Sequence, residues 1–403
     1  MTALLGLATL AAFVLLTGVG LRCLPGIARK VMGEDPPDRV TSLDGLRGLL
    51  ALAVVIHHCI IFHSYLGDGV WRPPPDNFDN LLGQAAVALF FMVSAYLFWG
   101  RVVRRAGRLD WTHFFVGRAF RLAPMYYFTV AAFLVIVAVE TDFTFRVPLS
   151  ELAREIGAWL TFAFEGAPDV NGLGHSFTIL STLWTLKFEW LFYLLLPLLA
   201  LLYRATRTSL AALALLLVLS QTGGGRDLFL FFVGGCVAVY ILEAGSPLGN
   251  WKAGWAAAGA AGLVALAYFF HDARGWGPAI LLLPVFVAAL QARGPWAVLR
   301  WRPVRFLGHI SYSVYLIHNP LVYVITGAIG ARAYSTLGTI ELYGVAVLIG
   351  MAVIAVSTAT YIVVEAPFLH VGSGQGEMAA TILSPIDRMR QSWNDRVRIS
   401  RNP

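Results

Sequence analysis

Apolar stretches of roughly 17 to 25 residues recur along almost the whole chain, each long enough to cross a hydrocarbon core about 30 Å thick. Eleven candidate spans fall at about 3–22, 46–63, 82–99, 123–140, 178–203, 208–221, 227–243, 251–271, 277–291, 306–329 and 340–364. Inside lipid every backbone polar group must be bonded within the protein. Runs this long and apolar do so as helices, not as the alternating strands of a barrel. The expected fold class is therefore an all-α integral membrane protein whose first partner is the lipid bilayer. Composition agrees: 58% of residues are hydrophobic and only 13% charged, against about 25% charged in an average soluble domain.

The loops predict an orientation. Segments 22–47, 100–122 and 291–305 are rich in arginine, and the last of these contains no acid. Loops 64–81 and 141–176 carry more acids than bases. This alternation predicts an N-terminus outside and a basic C-terminal tail in the cytoplasm. The net charge of +7 then reads as a topology signal, and with no reader motif or basic soluble face it excludes a nucleic-acid partner. The first apolar segment lacks the charged start and cleavage site of a signal peptide, so a retained helix is expected. Cys23, Cys59 and Cys236 are scattered and predict neither a disulfide framework nor a metal site. Three regions follow: 1–39 (an extra N-terminal helix and basic linker), 40–367 (a membrane domain) and 368–403 (a basic tail). In the tail Ile382, Ile386, Met389 and Trp393 have the spacing of an interfacial helix, with a disordered tail as the alternative.

Ionisable groups within lipid-spanning helices are costly and so are candidates for function. Here they are His57, His58, Lys187, Glu189 and His318, with Asp44 and Arg47 at the entry to the second span. On a helix, positions 47 and 58 lie within about 20° of one another and about 16 Å apart along the axis. One stripe thus carries a guanidinium at the membrane edge and an imidazole near the midplane. A neutral buried imidazole can take a proton from a hydroxyl at neutral pH; the alternative for His58 is an interhelical hydrogen bond, and His57 fits a packing role better. Glu189 cannot face Lys187, two residues away on a helix, so a tertiary partner is expected, and it could orient His58. Arg118 and Arg121, three residues apart, share a face and suit a phosphorylated ligand, though membrane-edge anchoring would produce the same pattern. His318 precedes the helix-breaking Pro320, which suits either a cavity wall or an interhelical bond.

Taken together these stretches resemble the acyltransferase-3 family of integral membrane acyltransferases, from about residue 40 to 367. Ser42-Leu43-Asp44-Gly45-Leu46-Arg47-Gly48 with His58 is similar to the family's opening L-D-x-L-R-G and its later histidine. Phe90 to Tyr96 resembles F-F-x-x-S-G-[FY], and Arg118 to Tyr126 resembles R-x-x-R-x-x-P-x-Y. Trp184 to Pro197 resembles W-[ST]-L-x-x-E-x-x-F-Y followed by Pro, and Tyr312 to Pro320 resembles Y-S-x-Y-L-x-H-x-P. Each piece is short and weak alone; five in order are specific. Ala95 stands where the family has glycine, and Gly117 where a further arginine is common.

The resemblance implies a core of about ten helices, with helix 3–22 as an addition, and a stand-alone form without an esterase-like domain. It also implies an acyl-CoA co-substrate, most often acetyl-CoA, with no permanently bound cofactor. The acceptor would be a hydroxyl of a surface carbohydrate, a glycolipid or a glycosylated natural product, in a bacterial cytoplasmic membrane. His58 would be the catalytic base assisted by Glu189, and Arg47, Arg118 and Arg121 would hold the donor. Asp44, Ser94, Trp184, Tyr312 and His318 complete the candidate substrate-binding set. The rival from another class is a transporter or flippase of a lipid-linked sugar; the lack of a long internal repeat weakens it.

Overall fold

Why the apolar runs coil is clear from their surroundings: with little water to bond the backbone, the helix satisfies it locally. The computed structural model describes residues 1–33, 39–206, 208–222, 225–243 and 246–372. Among them no strand forms. The chain begins with α1 (Thr2–Cys23) and a short amphipathic α2 (Pro25–Met32), then α3 (Thr41–Asp68), α4 (Asn77–Arg104) and α5 (Trp111–Glu140). The segment after α5 contains α6 (Leu149–Leu160). α7 (Trp184–Thr206), α8 (Leu210–Ser220), α9 (Phe229–Glu243), α10 (Lys252–Phe269) and α11 (Trp276–Gln291) follow. The last part holds α12 (Arg302–His309), α13 (Ser311–Ile329), α14 (Ala331–Ser335), α15 (Thr339–Thr360), a π-helical turn over Tyr361–Glu365 and α16 (Ala366–Gly372). The expected tail helix around Ile382 to Trp393 lies outside the described residues.

Among the described residues seven helices are long and apolar enough to cross a membrane: α1, α3, α4, α5, α7, α10 and the run Thr339–Leu369. α11 with the bent 3-10 turn Gly294–Arg300 makes an eighth, the two meeting at 64°. α8 and α9 are shorter apolar helices. α13 has 19 residues but carries Ser311, Ser313, His318 and Asn319, all buried. Ser311, Ser313, His318 and the Asn319 Nδ2 are hydrogen-bonded inside the protein, so it needs less hydrophobicity than a lipid-facing helix.

Two differences from the sequence reading bear on the site. α5 begins at Trp111, about three turns before the apolar run that marks it in sequence. Asp110 caps it, its carboxylate accepting from the His113 backbone N–H. Arg118 and Arg121 therefore lie about two and three turns into the helix. The expected span 306–329 divides at Ile310 into α12 and α13.

α3 is the axis of the bundle: 89% of its apolar window is buried, against 17% for the peripheral α10. It contributes to both large hydrophobic clusters, one with α4, α5, α7, α9 and α11, the other with α1, α12 and α15. The glycines of its opening motif explain how it sits. A Cβ on Gly48 would lie 2.7 Å from the Gly308 nitrogen and 2.8 Å from the Val304 carbonyl oxygen, so α3 and α12 touch backbone to backbone. A similar contact joins α4 to α9, where a Cβ on Gly235 would lie 2.6 Å from the Cβ of Ala95. The alanine at 95 is accommodated because the facing helix offers a glycine.

Candidate active site

Two cavities stack along α3. The first, of about 130 Å³, is lined by Arg47 from α3, Ser94 from α4, Arg118 and Arg121 from α5, Glu189 from α7 and Tyr312 from α13. The second, of about 240 Å³, is lined by His57 and His58, by Trp71 and Arg72 after α3, and by Gln84, Trp184 and Arg274. The eleven-residue step from Arg47 to His58 thus runs from one cavity to the other, as their common face on α3 requires.

The arginine cavity is a set of partly matched charges. Arg121 ion-pairs with Glu365, which also accepts from the Ser313 hydroxyl at 2.6 Å. Its guanidinium lies 5.5 Å from the Tyr312 ring centroid. The Tyr312 hydroxyl donates to the Leu122 carbonyl at 2.7 Å, holding α13 against α5. Arg118 stacks over Phe98 at 4.8 Å. Glu189 accepts from the Ser94 hydroxyl at 3.2 Å and from the Tyr193 hydroxyl. Its tertiary partner is therefore Ser94 on α4, and it lines the arginine cavity rather than the one that holds His58. Arg47 has no hydrogen-bond or ion-pair partner among the described residues. A cation held in a cavity with no partner is a place for an incoming anion.

The histidine cavity is organised by tautomers. His58 Nδ1 lies 3.0 Å from the Val54 carbonyl oxygen. A carbonyl only accepts, so this bond assigns the proton to Nδ1 and leaves Nε2 bare. His318 repeats the arrangement, with Nδ1 3.0 Å from the Val314 carbonyl oxygen. Its bare Nε2 lies 3.3 Å from His58 Nδ1 and accepts from the same N–H. His318, fully buried, thus occupies the supporting position that the sequence reading gave to Glu189. His57 donates from Nδ1 to the Asp79 carbonyl at 2.8 Å, tying α3 to α4. The Asp79 carboxylate accepts from Tyr343 on α15.

At one end of this cavity Trp71 lies roughly parallel to His58, with centroids 6.4 Å apart. Tyr65 meets Trp71 at 5.4 Å and His175 at 6.2 Å, which brings the loop 141–176 to the cavity's edge. That loop is fastened by Asn171, whose Nδ2 donates to the Thr141 hydroxyl at 2.9 Å, while its backbone N–H donates to Glu155. Arg274 donates to both carboxylate oxygens of Asp227, at 2.9 and 2.8 Å, and these hydrogen bonds raise its pKa above the usual arginine value.

Of the ten residues singled out from sequence, Arg47, Ser94, Arg118, Arg121, Glu189 and Tyr312 meet in the first cavity. His58 and Trp184 line the second, and His318 bonds to His58. Asp44 lines neither. Its carboxylate takes the Arg39 guanidinium at 2.6 and 3.0 Å, and Arg39 reaches His309 at 3.4 Å, so Asp44 fastens the start of α3 to the end of α12. Glu365 was missed. The available signal was an acid closing an otherwise apolar final span. Among the described residues no group of three or more His, Cys, Asp or Glu could hold a metal ion.

The sequence profile described as an acyltransferase domain matches residues 40–361. The chain is 28% identical over 312 residues to the exopolysaccharide production protein ExoZ of Rhizobium meliloti (strain 1021), covering 72% of this chain and 91% of that protein. It is 30% identical over 182 residues to nodulation protein 10 of Rhizobium leguminosarum bv. viciae, covering 40% of this chain and 45% of that protein. The chain therefore spans less than half the length of the nodulation protein. No solved structure matches.

Proposed function

We propose, since the chain belongs to the acyltransferase-3 family, that it moves an acyl group, acetyl foremost, from cytoplasmic acyl-CoA to a hydroxyl of a surface carbohydrate or glycolipid. The observation that carries this reading is the pairing of cavities along α3. One holds the unpartnered Arg47 with Arg118, and the other holds a histidine with a bare Nε2. The name of the exopolysaccharide relative supports a carbohydrate acceptor.

In this reading the arginine end faces the cytoplasm, as the basic loops predict. Arg47 and Arg118 bind CoA phosphates by charge-assisted hydrogen bonds; Arg121, already paired with Glu365, contributes through its field. The acceptor enters beside Trp71 and Trp184, whose faces suit the C–H surface of a sugar. Its hydroxyl oxygen attacks the thioester carbonyl carbon while His58 Nε2 takes the proton. The tetrahedral intermediate collapses with cleavage of the C–S bond, and the proton passes from His58 to the departing CoA sulfur. The Val54 carbonyl and His318 Nε2 both accept from His58 Nδ1–H, so they fix the productive tautomer and steady the transient imidazolium.

The test is CoA release from acetyl-CoA by purified protein in detergent, comparing wild type, His58→Ala and His57→Ala. The reading expects turnover to fall by about 10²- to 10⁴-fold in the first variant and to persist in the second. Folded wild type that releases no CoA from a panel of acyl donors would overturn it and favour a flippase.

A further inference from the structure

Among the described residues the two cavities share only two lining residues, Val87 of α4 and Tyr315 of α13. We propose that Tyr315, with Val87 beside it, is the partition at which the acyl group is handed from donor side to acceptor side, and that its ring sets the length of acyl chain accepted. This rests on the acyltransferase reading.

Tyr315 is buried, and its ring lies 5.7 Å from Phe90, which lines the arginine cavity, and 6.0 Å from His318, which supports the base in the other. Its hydroxyl is bonded where the two linings meet. Thr185, of the arginine cavity, has its oxygen 2.8 Å from the Tyr315 hydroxyl, and Thr182, of the histidine cavity, offers its carbonyl at 3.4 Å. The Thr185 hydroxyl donates to the same Thr182 carbonyl at 3.1 Å, which leaves its oxygen to accept from Tyr315. The ring is thus tethered across the bundle, from α13 to the first turn of α7, by one neutral hydrogen bond and a longer one.

A thioester reaching from the arginines to His58 Nε2 must pass this ring. The acyl chain beyond the carbonyl then has to fit around the Tyr315 ring and the Val87 side chain. An apolar wall of this kind discriminates one methylene by roughly 10- to 200-fold. Removing the ring opens one cavity into the other and should erase much of that discrimination, while leaving the proton chemistry at His58 in place.

The experiment measures kcat/KM for CoA release from acetyl-, propionyl-, butyryl- and hexanoyl-CoA in wild type, Tyr315→Phe, Tyr315→Ala and Val87→Ala. The expected result is a rise of at least tenfold in the butyryl-to-acetyl ratio in Tyr315→Ala, a smaller rise in Val87→Ala, and a nearly unchanged ratio in Tyr315→Phe, which keeps the ring. A ratio unchanged in both alanine variants overturns the proposal. Should Tyr315→Ala fail to fold, Val87→Ala carries the test. Calorimetric titration with the inert thioethers S-ethyl-CoA and S-butyl-CoA separates the two levels. Thioether binding without any turnover in wild type would defeat the acyltransferase reading yet still report the wall through the butyl-to-ethyl ratio. Failure of wild type to bind either thioether would defeat both.

Discussion

The two cavities differ in what their polar groups lack. In the arginine cavity positive charge exceeds the acid available to it: Glu189 is shared between Ser94 and Tyr193, Glu365 takes Arg121, and Arg47 has no hydrogen-bond or ion-pair partner among the described residues. In the histidine cavity His58 and His318 each direct an N–H to a carbonyl one turn back on its own helix, and His57 directs one to the Asp79 carbonyl on α4. A guanidinium in a low-dielectric site is stable when an anion arrives to meet it. A bare imidazole nitrogen is stable without a partner and useful only when a proton has to move. In the proposed reading one end holds charge and the other moves a proton, and α3 connects them.

That contrast can be broken from either end. His58→Ala removes the base and is expected to lower kcat by about 10²- to 10⁴-fold with unchanged elution on size exclusion; a change in KM for acyl-CoA alone would contradict the division. Glu365→Gln leaves Arg121 without its buried counter-charge, a loss of order 3–5 kcal/mol when one partner of a buried pair is removed. Thermal unfolding in detergent should show a lower midpoint, while KM for acyl-CoA falls because Arg121 is freed to join Arg47 and Arg118. Arg47→Ala should raise KM for acyl-CoA by about 10- to 100-fold, the equivalent of a hydrogen bond to a charged group, and leave kcat nearly intact. Trp184→Ala, 47% exposed at the start of α7 in the wild type, should have the smallest effect. It is expected to cost a few-fold in KM for a carbohydrate acceptor and nothing in KM for acyl-CoA. Reversal of the last two, with Trp184 governing the donor and Arg47 the acceptor, would invert the assignment of the cavities.

Most of the helices were legible because span length and hydropathy are local properties of a sequence. The start of α5 was not, since its first three turns carry His113, Arg118 and Arg121 and look like a loop until the cap at Asp110 is considered. The common face of Arg47 and His58 could be read from periodicity alone. The His58–His318 pair joins residues 260 apart in the chain, a separation no single sequence reveals. Without it Glu189 was the natural companion for the base, although Ser94 and Tyr193 hold it elsewhere. Asp44 stood out as an acid at a membrane edge, but Arg39 a few residues upstream answers it locally. Glu365 escaped notice because an acid at the end of a last span passes for an interfacial residue. The π-helical turn that carries it packs it fully inside the protein.

Because Arg47 and His58 belong to one uninterrupted helix, α3 acts as a caliper whose jaws cannot be adjusted separately. Inserting one residue between them would rotate His58 by about 100° and aim it at a different neighbour. Inserting seven would nearly restore its phase but carry it about 10 Å further along the axis. No such change could be absorbed by sliding the helix, because Gly48 is pressed backbone to backbone against α12. If the proposed roles hold, the reach of the donor is written into the number of residues between an arginine and a histidine, and a longer or shorter carrier arm would require a different count.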